Sequence, residues 1–364
     1  PLGPNTELYA FGGRNFRDTD AYAFSRSSFA DGDNRSVPSL YPNGFTPHIT
    51  SNITDVSASA GIRHTMNNGW VADFSNTYGS NLFHYYIKGT NNASMKDASP
   101  TDFDAGGHSL SQNVTGLDFS KYFEEIVSGL NLAYGLEYRT EQFGIFAGEE
   151  ASYALYDNNG RPIIDPVNQS PATDSNGDPL PGGAQGFPGY SPANVVDRGR
   201  TNIGLYVDGE LNITDPFLVS AALRYENYSD FGSTFNWKVA SRYLINDKIS
   251  VRGSVSTGFR APSLAQIHYN LIFNNFVAGE SLPSLLSSNT SAVTRAFGIG
   301  PLQEETSFNA SVGFTLSLGA FSATIDGYSI SVADRIILTD NFDASGLGLG
   351  VDVAQFFANG VDTK

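Results

Sequence analysis

The chain has 364 residues, and its 37 acidic and 21 basic residues give a formal net charge of −16 at pH 7. This balance argues against a nucleic-acid partner, because no basic excess exists to displace counterions from phosphates. Cysteine is absent, which excludes disulfides, thiol catalysis and thiolate metal sites. Charged residues make up only 16% of the chain, whereas about a quarter is typical of soluble domains.

No uninterrupted apolar run approaches the roughly 18 residues that a membrane-spanning helix requires, so a helical membrane protein is excluded. The chain begins at Pro1 without Met and without a basic segment followed by an apolar one. We therefore expect either that a leader has been removed or that the chain is an internal piece of a longer protein.

Alternation of apolar and polar residues predicts eleven β-strands. In chain order they are Thr6–Arg14, Thr54–Thr65, Gly69–Leu82, Ser109–Tyr122, Gly129–Ile145, Arg200–Asn212, Phe217–Ser229, Ser233–Ile245, Lys248–Thr257, Glu305–Ser317 and Ala320–Asp334. None of the 17 prolines falls inside them, as expected for strands paired along both edges. In the last strand the alternation slips by one residue at Gly327, which predicts a β-bulge.

The connections between these strands alternate in length. Short turns are predicted at Met66–Asn68, Phe123–Ser128, Ile213–Pro216, Asn246–Asp247 and Leu318–Gly319, and long loops at Asn15–Ile53, Phe83–His108, Phe146–Gly199 and Gly258–Glu304. Only Asp230–Gly232 is short where a long loop is due. Most strands also exceed the ~5–6 residues usual in soluble proteins. Long strands with short turns at one end and long loops at the other are typical of outer-membrane β-barrels.

The two faces of such a barrel have different solvents. The apolar face, for example Trp237, Val239 and Tyr243, is expected to contact lipid, and the polar face to surround water. The charged side chains predicted to line the interior are Glu137, Arg139, Arg224, Glu226, Arg242, Arg252 and Arg260. The alternative is a soluble β-sandwich with the apolar face buried, but it explains neither the strand lengths nor the loop pattern.

Catalytic chemistry has no recognisable residues in this sequence. The five histidines are scattered without metal-ligand spacing, and no nucleophile-elbow, zinc-protease or phosphate-loop motif occurs. We therefore expect no enzyme activity, no metal site and no cofactor. One weak possibility is Ca²⁺, because Asp174, Asn176 and Asp178 have the spacing of the first calcium-loop ligands. Pro179 stands where that loop requires glycine, and turn chemistry explains the segment equally well.

Long loops rich in aromatic and amide side chains are suited to binding. Rings and amides can contact sugar rings or siderophore-like ligands, and they can equally pack loop against loop. The candidate ligand-binding residues are Tyr41, Phe45, Phe187, Tyr190, Tyr269, Phe273, Asn274 and Phe276.

One segment carries a family resemblance. The strand ending at Thr257 continues into Gly258-Phe259-Arg260-Ala261-Pro262-Ser263-Leu264, which resembles the barrel signature of TonB-dependent outer-membrane receptors. Further segments resemble the same family in the same order, namely Gly135-Leu136-Glu137-Tyr138-Arg139, Arg224 to Gly232, Glu304-Glu305-Thr306-Ser307, Asp326-Gly327-Tyr328 and Asp334-Arg335-Ile336. The resemblance covers nearly the whole chain.

This resemblance implies a 22-stranded antiparallel transmembrane barrel in the outer membrane of a Gram-negative bacterium, closed by an N-terminal plug. TonB acts on the plug to admit a scarce nutrient such as an iron chelate, cobalamin or an oligosaccharide. We expect residues 1–364 to be an incomplete barrel domain of about eleven strands, without a plug, whose partners are lipid, its own plug and TonB. The alternatives are a passive porin-like channel and a secreted β-sandwich adhesin or glycan-binding module.

Overall fold

The computed structural model describes residues 3–165, 168–277 and 280–339, except for the side chains of residues 273–284. The strands in these ranges are β1 (Thr6–Tyr22), β2 (His48–Thr65), β3 (Val71–Lys88), β4 (Phe103–Phe123), β5 (Leu130–Phe146), β6 (Val196–Thr214), β7 (Phe217–Tyr228), β8 (Gly232–Asn246), β9 (Ile249–Arg260), β10 (Leu271–Val277), β11 (Glu280–Leu286), β12 (Glu305–Leu318) and β13 (Phe321–Ala333). No helix in these ranges has the length and apolar character needed to cross a membrane.

Eleven of the strands form one antiparallel sheet in the order β1-β2-β3-β4-β5-β6-β7-β8-β9-β12-β13. Each strand pairs with the next strand of this sheet along the chain, and only the separate β10–β11 hairpin intervenes between β9 and β12, so the sheet is a continuous meander. The eleven predicted strands are therefore confirmed in number and order. Five short turns lie at one end of the sheet, which we call the turn end, and the long loops lie at the opposite loop end. The short connection between β7 and β8 also lies at the loop end, as the sequence predicts for Asp230–Gly232.

The strands extend further toward the loop end than their alternation predicts. β1 continues to Tyr22 rather than Arg14, and β2 begins at His48 rather than Thr54. The ladder continues there although both faces carry polar residues, so alternation is lost while the backbone pairing is kept. Thr19 lies opposite Ser51, and their hydroxyls are hydrogen-bonded.

The predicted bulge at Gly327 is wrong. β12 and β13 pair without interruption, and Gly327 lies directly opposite Val312. Because the register continues, the slip in the alternation exchanges the faces instead. Tyr328 and Ile330 lie on the face of Asp326, where polar residues are the rule.

The sheet has two chemically distinct faces. The apolar face includes a row of directly paired residues that runs from β3 to β8, namely Phe74, Leu117, Leu136, Leu205, Tyr225 and Phe235. The polar face carries Glu137 and Arg224. Val239 and Tyr243 on the apolar face are 43% and 50% exposed, and within the described ranges no second large sheet covers them. This exposure argues against the soluble sandwich.

Buried side chains are concentrated at the loop end. The largest buried cluster contains Phe143, Ile145, Tyr190, Leu264 and Leu271, where loop residues cover the polar face of β5. The loops also contain the short helices α1 (Glu150–Tyr153), α2 (Leu264–His268) and α3 (Ala292–Ala296), and 3₁₀ turns at Phe29–Asp31, Ala93–Ala98 and Pro192–Asn194.

The alternation analysis missed the β10–β11 hairpin, which lies inside the predicted long loop Gly258–Glu304. β11 contains Pro283. The absence of proline from strands therefore applies to the eleven-stranded sheet and not to this separate hairpin. A two-stranded ribbon has two free edges, so it can accommodate a residue that lacks a backbone donor.

Candidate functional site

The first three long loops are joined into one packed layer at the loop end. Asn91 and Asn92 in the second loop are fully buried. The Nδ2 of Asn91 donates to the carbonyl of Arg35 in the first loop at 2.8 Å, and the Nδ2 of Asn92 donates to the carbonyl of Ala151 in the third loop at 2.9 Å. Buried amides satisfied in this way hold loop backbones in a single arrangement.

Beneath this layer lies a group of rings that we call the aromatic cluster. It consists of Phe83, Tyr85, His108, Phe187, Tyr190 and Tyr269. The hydroxyls of Tyr190 and Tyr269 are 2.7 Å apart and join the third long loop to the last one. The cluster therefore connects two strands and two loops above the polar face.

Burial governs the chemistry of this cluster. Tyr190 has no exposed surface, and burial raises the pKa of its hydroxyl, as does the hydrogen bond to Tyr269. The pKa of Tyr269 is also raised by burial, although its hydrogen bond with Tyr190 opposes the shift. Both phenols stay protonated at neutral pH, so one must donate to the other. Their mutual hydrogen bond holds the third long loop to the last one.

The structure brings together three of the predicted ligand-binding residues and separates others. Phe187 and Tyr269 are half-buried in the aromatic cluster, whereas Tyr190 is enclosed and in this arrangement supports the cluster rather than facing a ligand. Tyr41 and Phe45 lie in the first loop and stack on each other at 4.4 Å. The side chains of Phe273, Asn274 and Phe276 lie outside the described residues.

Sequence analysis did not select Tyr85 or His108, which it assigned to the predicted long loop Phe83–His108, whereas the structure places them in β3 and β4. Tyr85 packs against Phe187 with ring centroids 5.1 Å apart, and the Nδ1 of His108 is buried without a hydrogen-bond partner in the described part of the chain. A signal was present, because extending the alternation beyond Leu82 in β3 and before Ser109 in β4 places both rings on the polar face.

Below the cluster the polar face carries a charged network on β5 and β7. Arg139 contacts Glu137 at 2.6 Å, and Arg224 contacts Glu137 at 3.5 Å and is also paired with Glu226. Arg224 reaches Glu137 across β6 because Gly204 lies between them, and a Cβ at that glycine would lie 3.1 Å from the guanidinium. The contact between Arg224 and Glu137 therefore depends on the absence of a side chain at Gly204.

The same arrangement occurs four times on this face, and we call each instance a glycine bridge. The bridges are Tyr9 to Asp73 over Gly61, Tyr206 to Asp118 over Gly135, Arg224 to Glu137 over Gly204, and Arg252 to Asp326 over Gly313. In each one a long side chain crosses the middle strand to a carboxylate two strands away.

Arg200 is a further functional candidate that sequence analysis missed. Its side chain is 6% exposed and forms ion pairs with Glu141 and, at 3.4 Å, with Asp230. It donates to the carbonyl of Pro262 at 2.5 Å and lies over the ring of Tyr228. This buried cation ties the start of the last long loop to the sheet.

The remaining predicted interior arginines lie toward the later strands. Arg252 contacts Asp326 at 2.7 Å, and Arg260 contacts Glu305 at 2.9 Å. Arg242 lies directly opposite Arg252, and it has no ion pair within the described ranges. All seven predicted residues lie on the polar face.

The segment proposed for Ca²⁺ forms a tight turn. The Oδ1 of Asp174 accepts the backbone N–H groups of Asn176 and Asp178 at 2.8 and 2.9 Å. Side chains of aspartate commonly stabilise turns in this way. Among the described residues no group of three or more His, Cys, Asp or Glu could hold a metal ion, and calcium at this turn stays a prediction.

Comparison with known proteins relates the chain to a family and to solved structures. Residues 2–360 match the family model described as TonB dependent receptor-like, beta-barrel. The siderophore receptor PirA from Pseudomonas aeruginosa superimposes with a TM-score of 0.54 at 13% identity, covering 96% of this chain and 53% of that one. PirA from Acinetobacter baumannii gives 0.53 at 14% identity, covering 91% and 43%.

Two curated proteins also match in sequence. A probable TonB-dependent siderophore receptor, PirA from Acinetobacter baumannii, is 24% identical over 132 residues, which are 36% of this chain and 17% of that protein. The vitamin B12 transporter BtuB from Vibrio vulnificus is 28% identical over 82 residues, which are 22% and 13%. The chain spans about half the length of the solved receptors it resembles. Its sheet and its matched sequence together establish that the chain belongs to the TonB-dependent receptor β-barrel family, whose members are transport receptors and not enzymes.

Proposed function

We propose that this chain is part of an outer-membrane receptor that takes up an iron–siderophore complex in a TonB-energised manner. The observation that carries the proposal is the layout of the sheet. One face is apolar and exposed, and the other is polar and covered at the loop end by the aromatic cluster. The siderophore is favoured over cobalamin because the longer curated match is to a siderophore receptor.

The apolar face is suited to contact with outer-membrane lipid. Trp70, Phe123 and Tyr134 form an aromatic contact at the turn end, with Trp70 centroids 6.0 and 5.5 Å from the other two. Aromatic girdles of this kind mark the membrane–water interfaces of outer-membrane barrels. The turn end would then lie at the periplasmic interface and the loop end outside the cell of a Gram-negative bacterium.

The aromatic cluster is suited to receive the ligand. Phe187 and Tyr269 present half-buried rings, and the Tyr269 ring lies 6.4 Å from that of His108, whose Nδ1 has no hydrogen-bond partner among the described residues. Rings give contact area at low entropic cost, and a buried imidazole nitrogen can supply one directional hydrogen bond. Tyr41 and Phe45 remain proposed contacts of the neighbouring first loop, and Phe273, Asn274 and Phe276 of the last loop.

The charged network would contact a plug inside the complete barrel. Three polar atoms in or beside this network, the Nε of Arg139, the Oδ1 of Asn202 and the Oγ1 of Thr234, are buried without a hydrogen-bond partner in the part of the chain described here. Such groups are usually satisfied by another polar surface or by water. We propose that the remaining strands and the plug belong to the same longer polypeptide, and that TonB acts through that plug.

Transport assays in a strain lacking the gene test this function. Complementation with the full-length gene is expected to restore uptake of radioactive iron supplied as siderophore complexes, and deletion of tonB is expected to abolish it. Phe187→Ala with Tyr269→Ala should weaken binding at least tenfold, while Tyr22→Phe at an exposed ring serves as the control. Uptake that persists without TonB would instead support a passive channel. Restored cobalamin uptake alone would overturn the siderophore assignment.

A further inference from the structure

A pocket of about 330 Å³ lies on the polar face between β3 and β4. Phe83 and His108 of the aromatic cluster are directly opposite each other on these strands, and Asn81 and Leu110 form the next pair toward the turn end. The pocket therefore begins immediately below the rings. Volumes of ~300–1,000 Å³ are typical of sites that bind small molecules. The pocket residues on the polar face are Thr77, Gly79, Asn81, Leu110, Gln112 and Val114.

Gly79 forms the floor of this pocket. Nothing lies within 4 Å of the Cβ that would be added there, so no long side chain crosses this glycine as in the four glycine bridges. Gly79 pairs with Ser57 on one side and Gln112 on the other without a shift in register at this position, so it does not mark a bulge. A glycine inside a strand that has neither role often marks a place where a ligand or another backbone approaches closely.

The charged side chains that border the pocket are already engaged by neighbours. An ionised group placed in the pocket would therefore find no free counter-charge among these residues, and an unpaired charge removed from water is costly. The engaged pairs are Asp55 with Asn81, Glu141 with Arg200, and Arg139 with Glu137.

The lining of the pocket instead suits an uncharged group. Leu110 is 44% exposed, and with Val114 it supplies apolar contact. Gln112 supplies an amide that can both donate and accept a hydrogen bond. Apolar walls with a few polar groups that fix orientation are the usual composition of small-molecule sites.

We propose that this pocket is a second ligand-contact subsite, which receives an uncharged, partly apolar arm of the iron chelate while the rest of the chelate contacts the aromatic cluster. The inference deepens the proposed function and rests on it. Gly79 lies four residues from Phe83 along β3, about 13 Å, so the arm must extend roughly that far below the rings. The subsite would therefore select chelates with such an arm over compact, highly anionic ones.

Thiol labelling of the full-length receptor in outer-membrane vesicles tests the chemistry of the pocket directly. Residues 1–364 contain no cysteine, so Gly79→Cys introduces a single thiol here, and cysteines elsewhere are replaced by serine. The reagents are N-phenylmaleimide, which is uncharged, and its para-sulfonate, which is anionic. The control is Ala222→Cys on the same face of β7, directly opposite both Asp208 and Lys238. The ratio of uncharged to anionic labelling rates should be at least tenfold higher for Gly79→Cys than for this control.

Protection by iron chelates makes the second measurement. Ferrichrome, ferric enterobactin and ferric citrate are the probes, and uptake of each is scored in the same strain. A chelate that is taken up should slow the labelling of Gly79→Cys at least fivefold and leave Ala222→Cys unchanged. Gly79→Leu, which fills the pocket, should weaken binding of that chelate at least tenfold. Gly209→Leu is its control, because nothing lies within 4 Å of a Cβ added there and Gly209 faces away from the polar side.

The inference is overturned if the two cysteine variants give the same ratio of labelling rates, or if a transported chelate leaves the labelling of Gly79→Cys unchanged. Equally slow labelling by both reagents would mean that protein fills the pocket, and this result would overturn it too. If none of the chelates is taken up, the proposed function fails for them. The ratio of labelling rates still decides the chemistry of the pocket, so the two failures are distinguishable.

Discussion

The hydroxyl of Tyr206 donates to the Oδ1 of Asp118 at 2.5 Å, although β5 lies between their two strands. Gly135 on β5 is directly opposite both residues. A Cβ at this glycine would lie 2.5 Å from the Asp118 oxygen and from the Tyr206 ring. The bond therefore exists only because the middle residue has no side chain.

Gly135→Ala is expected to break this bridge and to lower the free energy of unfolding by about 1–3 kcal/mol, the value of a hydrogen bond to a charged group. Urea unfolding followed by heat-modifiable gel mobility measures the change. Gly79→Ala on the same face of β3 is the control, because nothing lies within 4 Å of the Cβ it would add. Equal loss in the two variants would mean that glycine itself, and not the bridge, sets the stability.

Arg200→Gln is expected to destabilise the protein by about 3–5 kcal/mol, because Glu141 and Asp230 would be left without their buried cation. Hydrogen exchange should also accelerate in residues 258–270, where the Pro262 carbonyl loses its donor. Arg252→Gln is the matched control. Its ion pair is about half exposed, and loss of such a pair should cost about 1 kcal/mol or less. Similar costs for both variants would contradict the role of burial.

Tyr190→Phe retains the buried ring and removes the hydroxyl that contacts Tyr269. The loops at residues 147–195 and 261–270 should exchange amide hydrogens faster, because the loss of this hydrogen bond lowers the free energy of local opening by about 1 kcal/mol. Tyr22→Phe is the control, since this ring is 75% exposed. Unchanged protection in both loops would show that apolar packing alone holds them together.

The environment of His268 predicts that the segment around it becomes less stable at acid pH. Burial lowers the pKa of His268, the charge of Arg198 lowers it further, and Asp230 opposes them. Because the pKa is lower in the folded state, the stabilisation is complete above the unfolded value of about 6.5 and is lost as the pH falls below it. Exchange in residues 261–271, corrected for intrinsic rates, should therefore be faster at pH 5 than at pH 7.

His268→Gln should remove this acid sensitivity, because glutamine does not titrate. The comparison is made at both pH values in the same buffer series. If the variant and the wild type respond equally to acid, another group controls this segment.

Substitutions of Asp174 distinguish two roles for this residue, stabilising the turn or binding Ca²⁺. Asp174→Asn keeps an oxygen that can accept the N–H groups of Asn176 and Asp178, whereas Asp174→Ala removes it. If the turn is the role of this residue, only the alanine variant should lose local hydrogen-exchange protection, and added Ca²⁺ should protect neither variant nor the wild type. Calcium-dependent protection that is lost in Asp174→Asn would establish a metal site.

The strand pattern of the sheet could be predicted because each side chain meets one of two solvents. Phe217–Tyr228 alternates over most of its length, and its predicted and observed limits differ by a single residue. The ends of β1 and β2 could not be predicted, because polar residues occupy both faces beyond Arg14 and Thr54. Backbone pairing continued there without an alternation to reveal it.

The candidate site was only partly predictable. Phe187 and Tyr269 could be proposed from loop composition, but their contact with Tyr85 and His108 joins segments far apart in the chain. The alternation can place Tyr85 and His108 on the polar face, but no local pattern identifies which loop residues contact them. Likewise, Arg242 and Arg224 have the same chemistry in sequence. Only their neighbours in the sheet give Arg224 ion pairs and leave Arg242 without one among the described residues.

The sequence by itself determined which side of each strand is apolar and how the turns and loops alternate, because a period of two residues and the length of a connection are local properties. The tertiary structure alone decided which charges are paired. Register places Gly135 between Asp118 and Tyr206, and a shift of one residue would move all three to different neighbours or faces. Pairing across three strands is a property of that register, and no single segment contains it.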